Sequence, residues 1–123
     1  MKNSLSPLEN EVMQIVWDRK NVSAREVLIT LNNKKEFAYT TIATILTRLN
    51  HKKMVARTFE NGVNIYYPIV TKEEYSGVVA KKFIAKFISS FGDTGVISFA
   101  KGLESLNDTQ RKKLLTLLEN EKK

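Results

Sequence analysis

The stretch FAYTTIATILTRLNHKK, Phe37 to Lys53, concentrates side chains suited to recognition rather than bond making. It carries Thr40, Thr41, Thr44 and Thr47, followed by Arg48, His51, Lys52 and Lys53. Threonine is stiff at χ1 and a weaker helix former than alanine, leucine or lysine. A helix that accepts four of them has another use for that face. Threonine offers a hydroxyl that donates and accepts, and a methyl that can meet a thymine methyl. It is also short enough for close approach in a major groove about 12 Å wide. Arg48 has no acidic residue four positions away on either side. Its guanidinium can fork onto guanine O6 and N7 or onto a phosphate. The competing reading bonds each threonine back to its own helix. Tyr39 is either a phosphate-bonding phenol or a core-edge aromatic. His51, Lys52 and Lys53 either complement the negative end of the helix or meet DNA.

Catalysis has little to work with. Cysteine is absent, which removes disulfides, thiolate metal sites and cysteine nucleophiles. His51 is the single histidine, so no histidine cluster can bind a metal. The five glycines are scattered and form no phosphate-cradling loop. No enzymatic activity and no cofactor are expected. The net charge of +7 and the pI near 9.7 are compatible with a polyanionic partner. Between Lys34 and Arg57, Lys34, Lys35, Arg48, Lys52, Lys53 and Arg57 face a lone Glu36. That run is either a solvated surface or one that tracks phosphates.

The elements that must position this stretch are legible on both sides. Ser6, Pro7 and Glu9 form a capping box with proline at the first helical position. Leu8, Val12, Ile15 and Val16 recur at helical spacing, widened by Met13 and Trp17, to about Lys20. Trp17 is assigned to the core. Val22 is a short apolar insert, and Ser23 with Glu26 caps a second helix that turns Val27, Leu28 and Leu31 inward. Ile42, Ile45, Leu46 and Leu49 give the third helix its buried face. The period then changes. MVARTFE and VNIYYPI alternate in the strand manner around Asn61-Gly62, the strongest short-range hairpin signal, and Pro68 ends the second strand. Three short helices followed by a hairpin make a winged helix, related to the helix-turn-helix.

After Pro68 the chain starts again. Thr71 with Glu74 caps a long amphipathic helix bearing Tyr75, Val79, Phe83 and Phe87 on one side, with Val78, Ile84, Ile88 and Phe91 beside them. Gly92 and Gly95 bracket a break. Asn107 and Gln110 cap a last helix striped by Leu114, Leu115, Leu117 and Leu118. Two helices with this much apolar surface and no third layer suggest a homodimer, the alternative being that they fold back on the first domain. The expected architecture is mainly α with a small β-hairpin wing: a winged helix-turn-helix domain over 1–70 and a helical dimerisation domain over 71–123. The chain has neither a run of eighteen apolar residues nor a signal-peptide stretch at its start, and a cytoplasmic location is expected.

SPLENEVMQIVWD, VSAREV, AYTTIATILTRLNHKKMVAR and IYYP together resemble the penicillinase-repressor (BlaI/MecI/CopY) family. The likeness covers most of residues 6–68 and continues more loosely through Phe91-Gly92, the SFA at Ser98 and the final leucine helix. It implies a homodimeric transcriptional repressor that binds a short inverted-repeat operator in double-stranded DNA, one recognition helix per half-site. The family's base- and phosphate-facing positions fall on Thr40, Thr41, Thr44, Thr47 and Arg48. Its wing, which touches backbone or the adjacent minor groove, here brings in Arg57 and the residues about Asn61. Dimer contacts would come from Tyr75, Val79, Phe83, Phe87, Phe91, Leu114 and Leu118.

Three departures shape what the resemblance implies. Penicillin-responsive members carry an Asn-Phe bond attacked by a membrane sensor-protease system; the matching bond here is Ser98-Phe99. Such a system is an expected partner only if cleavage tolerates serine. The copper-responsive branch carries cysteine pairs, and this chain has none. Basic residues of the penicillin-responsive members are replaced here by Thr40 and Ala43, so a different operator is expected. The rival reading is a winged-helix module that binds a protein partner without sequence-specific DNA binding.

Overall fold

The computed structural model describes residues 5–33 and 35–121, Glu121 by its backbone alone. Lys34, counted in the basic run, and the last two residues of the tail lie outside the described residues. The chain divides into two compact units, Met1–Val79 and Ala80–Lys123. The elements run α1 (Pro7–Arg19), β1 (Val22–Ser23), α2 (Ala24–Leu31), α3 (Tyr39–His51), β2 (Val55–Glu60), β3 (Val63–Pro68), α4 (Lys72–Gly102), a 3-10 turn (Leu103–Ser105) and α5 (Asp108–Glu121).

In the first unit, local chemistry sets the helix starts. The Ser6 hydroxyl accepts from the Glu9 amide at 3.2 Å, and Glu9 Oε1 accepts from the Ser6 amide at 2.9 Å. Ser23 and Glu26 repeat the arrangement at 3.2 and 2.9 Å. Each box satisfies donors that a helix start leaves open, and removing such a cap costs about 0.5–2 kcal/mol. The hairpin turns at Asn61 (φ 51°) and Gly62 (φ 79°), with Glu60 opposite Val63. Positive φ at both loop residues matches the twist of the flanking strands.

The sheet has three strands in the order β1-β3-β2, all antiparallel. Val22, read from the sequence as an insert, is the first of them: it is fully buried and pairs with Tyr66. A strand of two residues is too short for alternation to register. Val12, Met13, Val16, Val22, Val27, Ile42, Leu46, Leu49, Met54 and Val55 are all but inaccessible and form one core.

Tyr75 also belongs to this core. Its side chain is 8% exposed, its ring lies 5.9 Å from that of Trp17, and its hydroxyl accepts from the Leu5 amide at 3.1 Å. The Trp17 indole N–H donates to the Val70 carbonyl at 2.8 Å. Tyr75, placed by its spacing on the dimerisation stripe, is therefore turned into the first unit, and the compact unit extends past residue 70 to Val79.

In the second unit, helix α4 is interrupted at Gly92 (φ 59°, ψ −143°), a conformation essentially reserved for glycine. The break falls at Gly92 alone. Gly95 continues the helix, and a Cβ there would lie 3.0 Å from the Phe91 Cβ. Phe83 stacks on Phe87 at 6.1 Å, and Phe87 meets Phe91 at 5.1 Å. The Asn107 side chain accepts from the Gln110 amide at 2.8 Å and starts α5.

Candidate nucleic-acid interface

Helix α3 has two faces with different chemistry. Ile42, Ile45, Leu46 and Leu49 are buried against the core. Tyr39, Thr40, Thr41, Thr44, Thr47, Arg48 and His51 are exposed. Tyr39 is 51% exposed, which places it on the open face rather than the core edge. The Thr47 hydroxyl donates to the Ala43 carbonyl at 2.9 Å, so the back-bonded reading holds at that position, with its methyl left on the surface. Among the described residues no other side-chain bond ties Thr40, Thr41 or Thr44. The N-cap of α3 is Ala38, with no side-chain hydrogen bond, unlike the boxed starts of α1 and α2.

The end of α3 is held firmly. The Met54 amide donates to the Leu49 carbonyl at 2.9 Å and the Lys53 amide to Asn50 at 3.0 Å. Lys53 sits at φ 62°. This is a Schellman ending, with buried Met54 beside buried Leu49 supplying its apolar contact. The Asn50 side chain donates to the Val55 carbonyl at 3.0 Å and joins the helix to β2.

Lys52 is engaged from within. Its ammonium lies 2.7 Å from Glu9 Oε1; the lysine side chain is 25% exposed and the glutamate 4%. Burial pushes the Glu9 carboxyl up, but the Lys52 ammonium and the Ser6 amide together outweigh it and hold the group below the ordinary glutamate range. The pair ties α1 to the end of α3. His51 and Lys53 are exposed beside it.

The wing adds a second surface. Strand alternation puts Arg57 and Phe59 on the face that buries Val55, opposite Tyr66 and Asn64 of β3. Arg57 is exposed, and Asn61 stands at the tip. Between wing and α3 runs an open groove of about 610 Å³. Tyr39, Ala43 and Thr47 form one wall, one line along the helix at four-residue spacing. Arg57, Phe59 and Val63 line the groove from the wing, and Ser23, Ala24 and Arg25 line it from the start of α2. Arg25, Phe59, Val63 and Asn64 were not singled out from the sequence. Phe59 and Val63 read there simply as strand hydrophobes, and the hairpin's placement over α3 has no local signal.

Comparison with known proteins places this geometry. The family described as Penicillinase repressor matches residues 5–120. A penicillinase repressor of Staphylococcus aureus is 31% identical over 114 residues, covering 93% of this chain and 90% of that protein. The methicillin resistance regulatory protein MecI of Staphylococcus aureus strain N315 is 29% identical, covering 93% and 92%. Among solved structures, monomeric Bacillus licheniformis BlaI in complex with the blaP half-operator superposes with a TM-score of 0.52 at 28% identity, covering 61% of this chain and 92% of that one. The DNA-binding domain of the repressor BlaI gives 0.53 at 30% identity, covering 61% and 94%. With its winged-helix fold and a match running nearly end to end, this chain belongs to the penicillinase repressor family.

Proposed function

We propose that the chain is a transcriptional repressor that binds an operator in double-stranded DNA as a homodimer. The observation that carries this reading is the exposed face of α3: short threonines and an arginine free of acidic neighbours, opposite a fully buried apolar face. The likeness to a BlaI solved with a half-operator supports it. Thr40, Thr41, Thr44, Thr47 and Arg48 enter the major groove, with Tyr39 and His51 at the two ends of the helix and Arg57 and Asn61 reaching from the wing. Lys52 is left out of this surface, because its charge is committed to Glu9. Binding supplied by Arg48, Arg57 and the basic surroundings weakens steeply with salt.

Self-association uses Val79, Phe83, Phe87, Phe91, Leu114 and Leu118. Phe83, Phe91 and Leu118 are each more than half exposed, an unusual amount of aromatic and leucine surface for a monomer. Tyr75 is omitted, being part of the first unit's core. The protein acts in the cytoplasm and has no catalytic activity of its own. Release by a membrane sensor-protease system would require cutting at Ser98-Phe99, within the helical residues of α4.

Footprinting and gel shifts on the region upstream of the chain's own gene test the reading. A protected, two-fold symmetric sequence is expected. Arg48→Ala should weaken binding by about 1–3 kcal/mol if Arg48 reads a base. Equal affinity for that region and for bulk DNA at physiological salt would favour a protein-binding module instead.

A further inference from the structure

The wing carries an aromatic that the proposed reading has not used. Phe59 is 72% exposed, although it lies on the face of β2 whose inner residue, Val55, is fully buried. Val63, across the turn, is 47% exposed. Both line the groove between the wing and α3, together with Tyr39, Arg25 and Arg57. Arginines and apolar side chains therefore share one channel. The nearest wing carboxylate, Glu60, does not line the groove and accepts from the Thr58 hydroxyl. None of the described residues lining the groove is acidic.

A channel that is cationic and apolar by turns suits a chain whose own surface alternates anionic and apolar groups. We propose that the groove seats one sugar–phosphate strand of the duplex: Arg57 and Arg25 meet phosphates, and the Phe59 ring packs on a deoxyribose face. This rests on the DNA-binding reading above and adds to it a contact that is neither ionic nor base-reading. Phosphate and sugar contacts orient a protein on the duplex without carrying sequence information. Phe59 is thus a residue of affinity and register, not of operator choice.

Two predictions separate it from its neighbours. Loss of an ionic contact lowers the salt dependence of binding, and loss of an apolar one does not. Loss of a sugar contact weakens binding equally on any sequence, and loss of a base contact does not. The test is fluorescence anisotropy with the full chain and two labelled duplexes, one from the region upstream of its own gene and one a scramble of the same composition, across a range of salt. Phe59→Ala should weaken binding to both by about tenfold, the equivalent of ~1.4 kcal/mol, with the salt slope unchanged. Phe59→Leu should recover most of the loss. Arg57→Ala should lower the slope by about 1. The side chain is largely in solvent, so circular dichroism should show the parent fold in all three variants.

Parent-like binding by Phe59→Ala on both duplexes would overturn the proposal. So would a loss confined to the upstream duplex, which marks a base contact, or a loss accompanied by a lower salt slope. Failure of the parent protein to distinguish the two duplexes would sink the repressor reading instead, while the effect of Phe59 on general DNA binding is still read.

Discussion

The two units treat the same kind of residue in opposite ways. In Met1–Val79, the apolar stripes of α1 and α3 close into a core in which Met13, Ile42, Leu46 and Leu49 are inaccessible, and exposed hydrophobes such as Ile29, Phe59 and Ile69 stand apart from it. In Ala80–Lys123, Phe83, Phe91, Leu115, Leu117 and Leu118 are each more than half exposed. Both units carry apolar residues at helical spacing, but they differ in the supply of packing layers. Three helices and a sheet close a core, and two helices do not. An amphipathic stripe therefore announces that a face will be covered, without saying by what.

Substitutions on either side of that contrast should separate. Leu46→Ala, in the closed core, should destabilise the first unit by about 2–5 kcal/mol in chemical denaturation. It should weaken DNA binding while leaving self-association intact. A cost near zero would mean that the core is looser than its burial implies.

Next in size is the Glu9–Lys52 pair. Lys52→Met strands a buried carboxylate and should cost about 2–3 kcal/mol at neutral pH. The sign of its pH dependence follows from the lowered Glu9 pKa. Folding favours the ionised form, so the unfolded chain binds the extra proton. The stabilisation is full above the ordinary glutamate range and is lost as pH falls through the lowered value. Thermal scans between roughly pH 6 and 3 should show a smaller acid-side loss in Lys52→Met than in the parent. Identical profiles would remove the pair from the account.

Phe83→Asp places a charge in the open face of the second unit. Self-association should weaken by about 2 kcal/mol or more in sedimentation velocity, with the stability of the first unit unchanged. An unaltered sedimentation profile would move the dimer surface elsewhere. The smallest effect is expected at Lys53, a non-glycine residue at φ 62° in the helix ending. Lys53→Gly should stabilise the first unit by up to about 1 kcal/mol, because glycine adopts that conformation without a Cβ clash.

Much of the first unit was legible because its determinants are local. Ser6 with Glu9, Ser23 with Glu26 and Thr71 with Glu74 act over three residues, and each pair is joined as its spacing implies. Asn61-Gly62 needs only its own dihedrals. The features that escaped are contacts between distant residues. Lys52 reaches Glu9, and Val22 joins β3 through a pairing with Tyr66 that has no sequence-local trace. Tyr75 is the sharpest case. It shares four-residue spacing with Val79, Phe83, Phe87 and Phe91, yet it packs on Trp17 while Phe83 and Phe91 stay open.

On the face of α3 the division is the same. Sequence alone determined which side chains leave the core, since a 3.6-residue period with Ile42, Ile45, Leu46 and Leu49 on one side puts the threonines and Arg48 on the other. It also determined the helix starts, the hairpin and the shortage of catalytic groups. Only the tertiary structure decided that Lys52 is held by Glu9, that Tyr75 completes the first core, and that Phe59 and Arg57 share a groove with Tyr39. The reason is physical: dihedral preferences and periodicity act over a few residues, whereas desolvation and charge pairing act between surfaces that meet only once the chain has folded.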